Sequence, residues 1–381
     1  MKSICKRQEV GDTLTKNDII ETLSNTRTDS GIKSDIYEFG RKRKPYMYCG
    51  RNLLWQFGKW HNHRLKVWMD QFNPEILFFA AGDYIFSFKI ALFLAESRNI
   101  PIVVYFCDDY YLIKRNSVSP LYWINRSLFN RKFAETIDKL AAYITICDQM
   151  NEAYFNAFDK KGHVMMTASN MLNIKNDRSP SSIKLTYIGN LGLDRWKPLV
   201  QIGRVLKNIV VKEKPIPIHI DVYSSEKRNE VLKHLTDENG IKFRGFLNSD
   251  QVIEKMHEST LLLHVEDLDN KINKEKIKYS ISTKIADSLA SGTCLFAYGP
   301  AGVASIDYLK QNNAACVVTE KDKLDEALRE LVNNADLRQK YINKALQLAN
   351  ERHNPEKNAR RFAEIICDAV NSYSTAKVKI E

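Results

Sequence analysis

The chain has 381 residues, 44% apolar, 10% aromatic and 27% charged, too many core formers for a disordered chain and enough length for two packed domains. It carries a net charge of +11, and its most hydrophobic stretch, Ile76 to Ala95, is broken by Asp83 and Lys89, which excludes the run of roughly 18 uncharged apolar residues that a membrane helix needs. The seven cysteines are scattered and form no CxxC pair, against a disulfide framework or a cysteine zinc site and in keeping with a reducing, cytoplasmic setting.

Taken in chain order, Met1 to Val10 places charges where a secretory signal would carry its apolar core. Between Arg41 and Lys66 eight basic residues occur with no acid among them, interleaved with Tyr46, Tyr48, Trp55, Phe57 and Trp60. That mixture suits an anionic membrane surface or a nucleic acid, and equally a solvated helix face beside buried aromatics. From Ile76 on, short β-rich runs alternate with amphipathic stretches, the mark of parallel βαβ units. Strands are predicted at 76–80, 102–106, 143–147 and 164–167, with helices at 86–98 and 121–140. The polar stretch KNDRSPSS over 175–182 reads as a linker. A second series then has strands at 183–188, 216–223, 241–244, 261–265, 293–297 and 315–318, with helices at 196–207, 227–236, 249–257, 283–290 and 322–333. Residues 335–372 read as two further helices.

Two places in the second series could carry chemistry. In YIGNLGLDRWKP, Gly189 and Gly192 allow a tight turn after a strand, Asn190 sits between them, and Arg195 and Lys197 add charge at a helix start that already favours a phosphate. This is neither GxGxxG nor a Walker loop, so neither a dinucleotide nor a P-loop triphosphate is supported, and a plain βα turn remains the simpler account. In KYSISTKIADSLASGTCLFAYGP, Ser282 is expected to cap a helix, leaving the Thr283 and Lys284 amides outward, with Asp287 one turn further on the same face. A Lys284–Asp287 surface pair is the alternative.

The stretch STKIADSLASGTCLFAYGP resembles the donor-binding helix and following strand of family 4 glycosyltransferases, and the similarity runs over about 183–370 through YIGNLGLDRW, IKFRGFL and LLLHVED. The resemblance implies an α/β protein of the GT-B fold, with two Rossmann-like doubly wound parallel-sheet domains facing across a cleft. Its expected domains are 1–178 on the acceptor side, 183–352 binding the nucleotide-sugar, and a C-terminal helical segment at 353–381. It implies ribose binding by Asp287, contact of Glu266 with the donor sugar in place of a glutamate where Tyr279 stands, and diphosphate binding by Arg195 or Lys197 with Lys284. Arg244 and Phe246 fall in the segment that lies against the nucleobase.

The first half, through LLWQFGKW, WMDQFNPEILFFAAGDYIFSFKIA and IPIVVYFCDDYY, is similar to acceptor domains of enzymes of bacterial capsule and cell-surface polysaccharide pathways. Such domains open with a strand and a glycine-rich loop near the N-terminus, whereas the first strand pattern here begins at Ile76, so the front of the domain is read as missing or divergent. Gly82 and Asp83 after one strand, and Asp108 and Asp109 after the next, would face the cleft. Asp109, with Asp108 as alternate, could orient the acceptor hydroxyl or take its proton; capping of the turn before Tyr110 is the competing reading. His61 and His63 have the spacing of a metal pair but no third ligand nearby in sequence.

The expectation is a cytoplasmic transferase, peripheral at the inner face of the membrane, that moves a hexose-like unit from a nucleotide-sugar to a saccharide or lipid-linked acceptor, with retention and without metal, cofactor or nucleic acid. A 2-epimerase of the same architecture, a non-catalytic GT-B subunit and a nucleic-acid binder are the alternatives.

Overall fold

The computed structural model describes residues 45–113, 117–173, 183–209 and 218–378; the expected linker over 175–182 and the basic run Arg41 to Lys44 lie outside them. Ten strands are present among the described residues: β1 (Leu77–Ala80), β2 (Ile102–Phe106), β3 (Ala142–Thr145), β4 (His163–Val164), β5 (Leu185–Ile188), β6 (Ile220–Tyr223), β7 (Ile241–Gly245), β8 (Leu261–Val265), β9 (Cys294–Tyr298) and β10 (Cys316–Val318). Each answers to one predicted from sequence, with the ends moved by a few residues. Five helices that sequence periodicity left unread also form, at Pro45–Phe57, His63–Phe72, Asp148–Phe158, Lys271–Ile277 and Ala304–Gln311. The helix expected over 227–236 shrinks to Asn229–Leu232.

The described residues fall into two compact units, one within 1–104, 115–143 and 368–381, the other within 105–114 and 144–367. A four-stranded sheet has the order β1-β2-β3-β4. In the first unit the helix Ile85–Arg98 buries Phe88 against Phe129 and Phe133 of the helix Pro120–Lys139, with ring centroids 5.9 and 5.6 Å apart. Edge-to-face packing of this kind suits aromatic quadrupoles.

The second unit is built on a six-stranded sheet of order β10-β9-β8-β5-β6-β7, parallel at every pairing. Successive residues of a strand face opposite sides. Leu261, Leu263 and Val265 accordingly enter one buried cluster with Phe296 and Tyr298, while Leu262 enters another with Leu295 and Ala297. Both faces are covered, which explains why these strands read as continuous apolar runs. The helix Trp196–Leu206 approaches the turn at 237–239 so closely that a Cβ on Gly203 would stand 2.1 Å from the Asn239 carbonyl oxygen.

Candidate functional site

Strand order in the six-stranded sheet runs outward from β5 through β6 to β7, then restarts on the other side with β8. At such a switch point the connections leave in opposite directions and open a crevice beyond the carboxyl ends of the two central strands. A cavity of about 80 Å³ lies there, between the end of β5 (Tyr187 to Asn190) and β8 with its extension to Glu266. Arg195, Ser282, Lys284, Ile285 and Ser288 complete much of its wall.

The loop after β5 is shaped by side-chain clamps. The Tyr187 hydroxyl donates to the Asn190 carbonyl at 2.7 Å, and Gly189 lets that ring lie close, since a Cβ there would stand 2.8 Å from the hydroxyl oxygen. Beyond the two glycines the backbone turns left-handed at Leu193 (φ 58°) and Asp194 (φ 61°). Such a conformation costs a non-glycine residue free energy and persists only where neighbours enforce it. The neighbours are Asn270 and Asn273, whose amides donate to Asp194 Oδ2 at 3.2 and 3.3 Å, and Lys197 Nζ at 3.2 Å.

Arg195, which follows, meets Glu266 bidentately: Nε and one terminal nitrogen donate to the two carboxylate oxygens at 2.9 Å each. The Glu266 side chain is only 4% exposed and that of Arg195 22%. Burial pushes the Glu266 carboxyl up and Arg195 draws it back. Burial likewise works against the charge of Arg195, but the adjoining carboxylate outweighs it and holds the guanidinium above its ordinary value. Two of the five guanidinium donors are thus used, and three remain. Lys284 is exposed at the wall. Ser282 does not cap with its side chain; Thr283 occupies the cap position, and the Ser282 carbonyl accepts the Ile285 amide at 3.0 Å.

Sequence reading did not single out His264. It is the one polar side chain within β8 and lines the cavity; a lone histidine in an otherwise apolar strand was the available signal. Burial first, then Arg195 and Lys284, push its pKa down to about 3.

Gly189, Asn190, Arg195, Glu266, Ser282 and Lys284 are therefore brought together, whereas the other expected residues stand apart from the cavity. Lys197 is held on Asp194. Arg244 is paired with Asp221 at 2.7 Å, and Phe246, 74% exposed, projects from the end of β7. Thr283 is exposed. Asp287 Oδ1 accepts the hydroxyl of the buried Ser169 at 2.7 Å.

The acidic pair after β2 is committed to its own loop and to Ser280. Asp109 Oδ1 accepts the amides of Tyr111 and Leu112 at 2.9 Å each and the Tyr154 hydroxyl at 3.0 Å, while Oδ2 accepts the Ile113 amide at 2.8 Å. Burial raises its pKa and those hydrogen bonds oppose the rise. Asp109 is 3% exposed, and both of its oxygens hold the turn. Asp108 is partly exposed, with Oδ1 accepting the Ser280 hydroxyl at 2.7 Å. In the other unit, Gly82 and Asp83 follow β1, and the Asp83 carbonyl accepts from Arg51 at 3.1 Å. His61 packs edge-on against Phe93 with ring centroids 4.3 Å apart.

Residues 204–364 match the family model described as "Glycosyl transferase-like". The chain matches no curated protein. Among solved structures it is similar to sucrose-phosphate synthase from Thermosynechococcus elongatus (TM-score 0.56, 11% identity, covering 81% of this chain and 77% of that one). It is also similar to Anabaena HepE in complex with UDP-glucose (TM-score 0.55, 13% identity, 80% and 81% covered) and to α,α-trehalose 6-phosphate synthase from Burkholderia multivorans (TM-score 0.55, 10% identity, 80% and 72% covered). These likenesses, together with the two sheets described above, establish the fold as α/β of the GT-B class.

Proposed function

We propose that this protein is a glycosyltransferase that takes its sugar from a nucleotide-sugar donor. The observation that carries this reading is the cavity at the switch point of the six-stranded sheet, walled by Arg195, Glu266 and Lys284, the latter two within the segment that matches the family model. Glycosyl transfer from a nucleotide-sugar generates a diphosphate leaving group, and fixed cations stabilise that developing charge without reorganising. Glu266 fixes the plane of the Arg195 guanidinium, and the three remaining donors can meet a phosphate. The Anabaena protein binds UDP and UDP-glucose, in support of a donor of that class.

Retention without metal or cofactor, a hexose-like unit, and a saccharide or lipid-linked acceptor in surface polysaccharide assembly are the finer parts of the proposal. Asp287 is assigned to the ribose side and Arg244 and Phe246 to the nucleobase side. Cytoplasmic location with peripheral attachment to an anionic membrane is proposed from the basic stretch up to Lys66, beside which Leu53, Phe57, Trp68 and Phe72 are exposed; among the described residues no helix is long and apolar enough to cross a membrane. The test is incubation of the protein with a panel of nucleotide-sugars and membrane extract. Release of nucleoside diphosphate together with a new glycosidic bond is the expected result, and unchanged donor throughout would refute the reading.

One observation favours a second reading, a nucleotide-sugar-binding subunit without transferase activity: Asp109 is buried and both of its oxygens accept hydrogen bonds from the fold. That reading predicts donor binding with no transfer in the same experiment.

A further inference from the structure

His264 lines the cavity beside β5 and is partly accessible, while its Nε2 atom is sealed and has no hydrogen-bond partner among the described residues. A buried N–H left without an acceptor costs free energy that a fold normally avoids, so an orphan of this kind in a cavity wall calls for a ligand atom or water. The nearby Glu266 carboxylate is bridged bidentately to Arg195 and makes no hydrogen bond to His264 Nε2. The site is also positive: the Arg195 charge is matched by Glu266, but Lys284 adds a cation that makes no ion pair among the described residues. A volume of about 80 Å³ is several times the roughly 10–15 Å³ that one water requires, room for a phosphate group but not for a nucleoside.

We infer that His264 is a further ligand residue of this site, its imidazole N–H donating to a phosphate oxygen of the bound nucleotide between the positive groups of Arg195 and Lys284. The inference rests on the nucleotide-sugar reading above. Burial and the two cations keep the imidazole neutral, so the ring supplies a directional donor and no net charge. One neutral imidazole carries one N–H and one lone pair, and an anion selects the tautomer that points the N–H at it. Arg195 and Lys284 supply attraction; His264 supplies geometry. A residue with this role acts on the phosphates and leaves the nucleoside untouched.

The experiment is calorimetry on the full chain. The nucleoside diphosphate among UDP, GDP, ADP and CDP that most raises the melting temperature of the wild type is titrated into wild type, His264→Phe and His264→Gln, and the parent nucleoside is titrated in parallel. His264→Phe is expected to weaken the diphosphate about ten- to hundredfold, the scale of a lost hydrogen bond to a charged group, with nucleoside affinity unchanged. His264→Gln, which keeps a side-chain N–H, is expected to recover at least part of the loss. Equal diphosphate affinity in wild type and a folded His264→Phe variant, or a folded His264→Leu variant should Phe misfold, overturns the inference, as does a matching loss for the nucleoside, which marks a collapsed pocket. If the wild type binds none of the four diphosphates, the inference falls together with the nucleotide-sugar reading; if it binds and only the variants are unaffected, the inference alone falls.

Discussion

At the scale of single residues, the Arg195–Glu266 pair and Asp109 show opposite fates for charges expected at a reaction centre. Arg195→Ala leaves a carboxylate that is 4% exposed without its counter-charge, and should destabilise the fold by about 3 kcal/mol near neutral pH. The freed Glu266 then has a raised pKa, and a carboxyl whose folded value exceeds its unfolded one is destabilising above that unfolded value and relieved as pH falls. Urea denaturation at pH 7.5 and 5 should therefore show a smaller deficit at the lower pH, and an additional Glu266→Gln change should restore part of the stability. Asp109→Asn turns one acceptor oxygen into an NH₂ group that faces loop amides and should cost about 1–3 kcal/mol. Asp108→Asn, at a partly exposed position, should be milder. A thermal melt in which Asp109→Asn matches wild type would argue that this turn is held by something other than its carboxylate. Sequence revealed which acids stand at strand ends, but not which of two neighbours turns inward, because that depends on where the amides of 111–113 fall once the loop closes.

Among elements, legibility followed burial. Strands covered on both faces, such as Ile102–Phe106 and Leu261–Val265, have the bounds their apolar runs predict. The helix Pro45–Phe57, which has no buried residue, could not be seen through an apolar stripe because it has none of the required width. The loop after β5 was legible as a turn with charge, while its left-handed residues Leu193 and Asp194 were not: the Asp194 carboxylate is held by Asn270 and Asn273 from about eighty positions away. Gly203 illustrates the same dependence on tertiary context. Alanine in a helix interior ordinarily gains about 1 kcal/mol over glycine, yet here its methyl would press on the Asn239 carbonyl. Gly203→Ala should therefore destabilise by about 2 kcal/mol or more, since backbone cannot yield as a side chain can. Differential scanning calorimetry checks the sign, and a higher melting temperature would mean that the helix and the 237–239 turn separate freely.

For the molecule as a whole, the two strand series and their parallel sheets could be read from the alternation of apolar runs, whereas partnerships within the second unit such as Ser169 with Asp287 and Ser280 with Asp108 span 118 and 172 positions and leave no local pattern. Acid sensitivity is a property summed over such sites. The pKa of His264 is pushed down to about 3 by burial and then by Arg195 and Lys284. His353 is lowered by burial although Nδ1 lies 2.7 Å from the Thr167 carbonyl; that carbonyl can only accept, so Nδ1 carries the proton and Nε2 accepts the Tyr308 hydroxyl at 3.0 Å. Histidines held neutral in the fold gain a proton on unfolding once the pH drops below about 6.5, so the stability they protect is complete above that value and lost as pH falls towards the folded pKa. The lowered carboxylate Glu226, at about 2 beside Arg228, has the same sign but acts only below the unfolded carboxyl range near 4.3. Glu266 and Asp109, both raised by burial, act in the opposite direction, so the bare acid profile mixes two signs and only a comparison isolates one group. Between pH 7 and 5 the wild type should lose on the order of 1–2 kcal/mol through His264. His264→Gln, which cannot titrate, should show a correspondingly shallower fall in the urea midpoint over that interval, while His353→Gln should flatten it independently because the two histidines share no partner. Parallel curves for wild type and His264→Gln would mean that the imidazole titrates alike in the folded and unfolded chain, and that neither burial nor the charges of Arg195 and Lys284 bear on it.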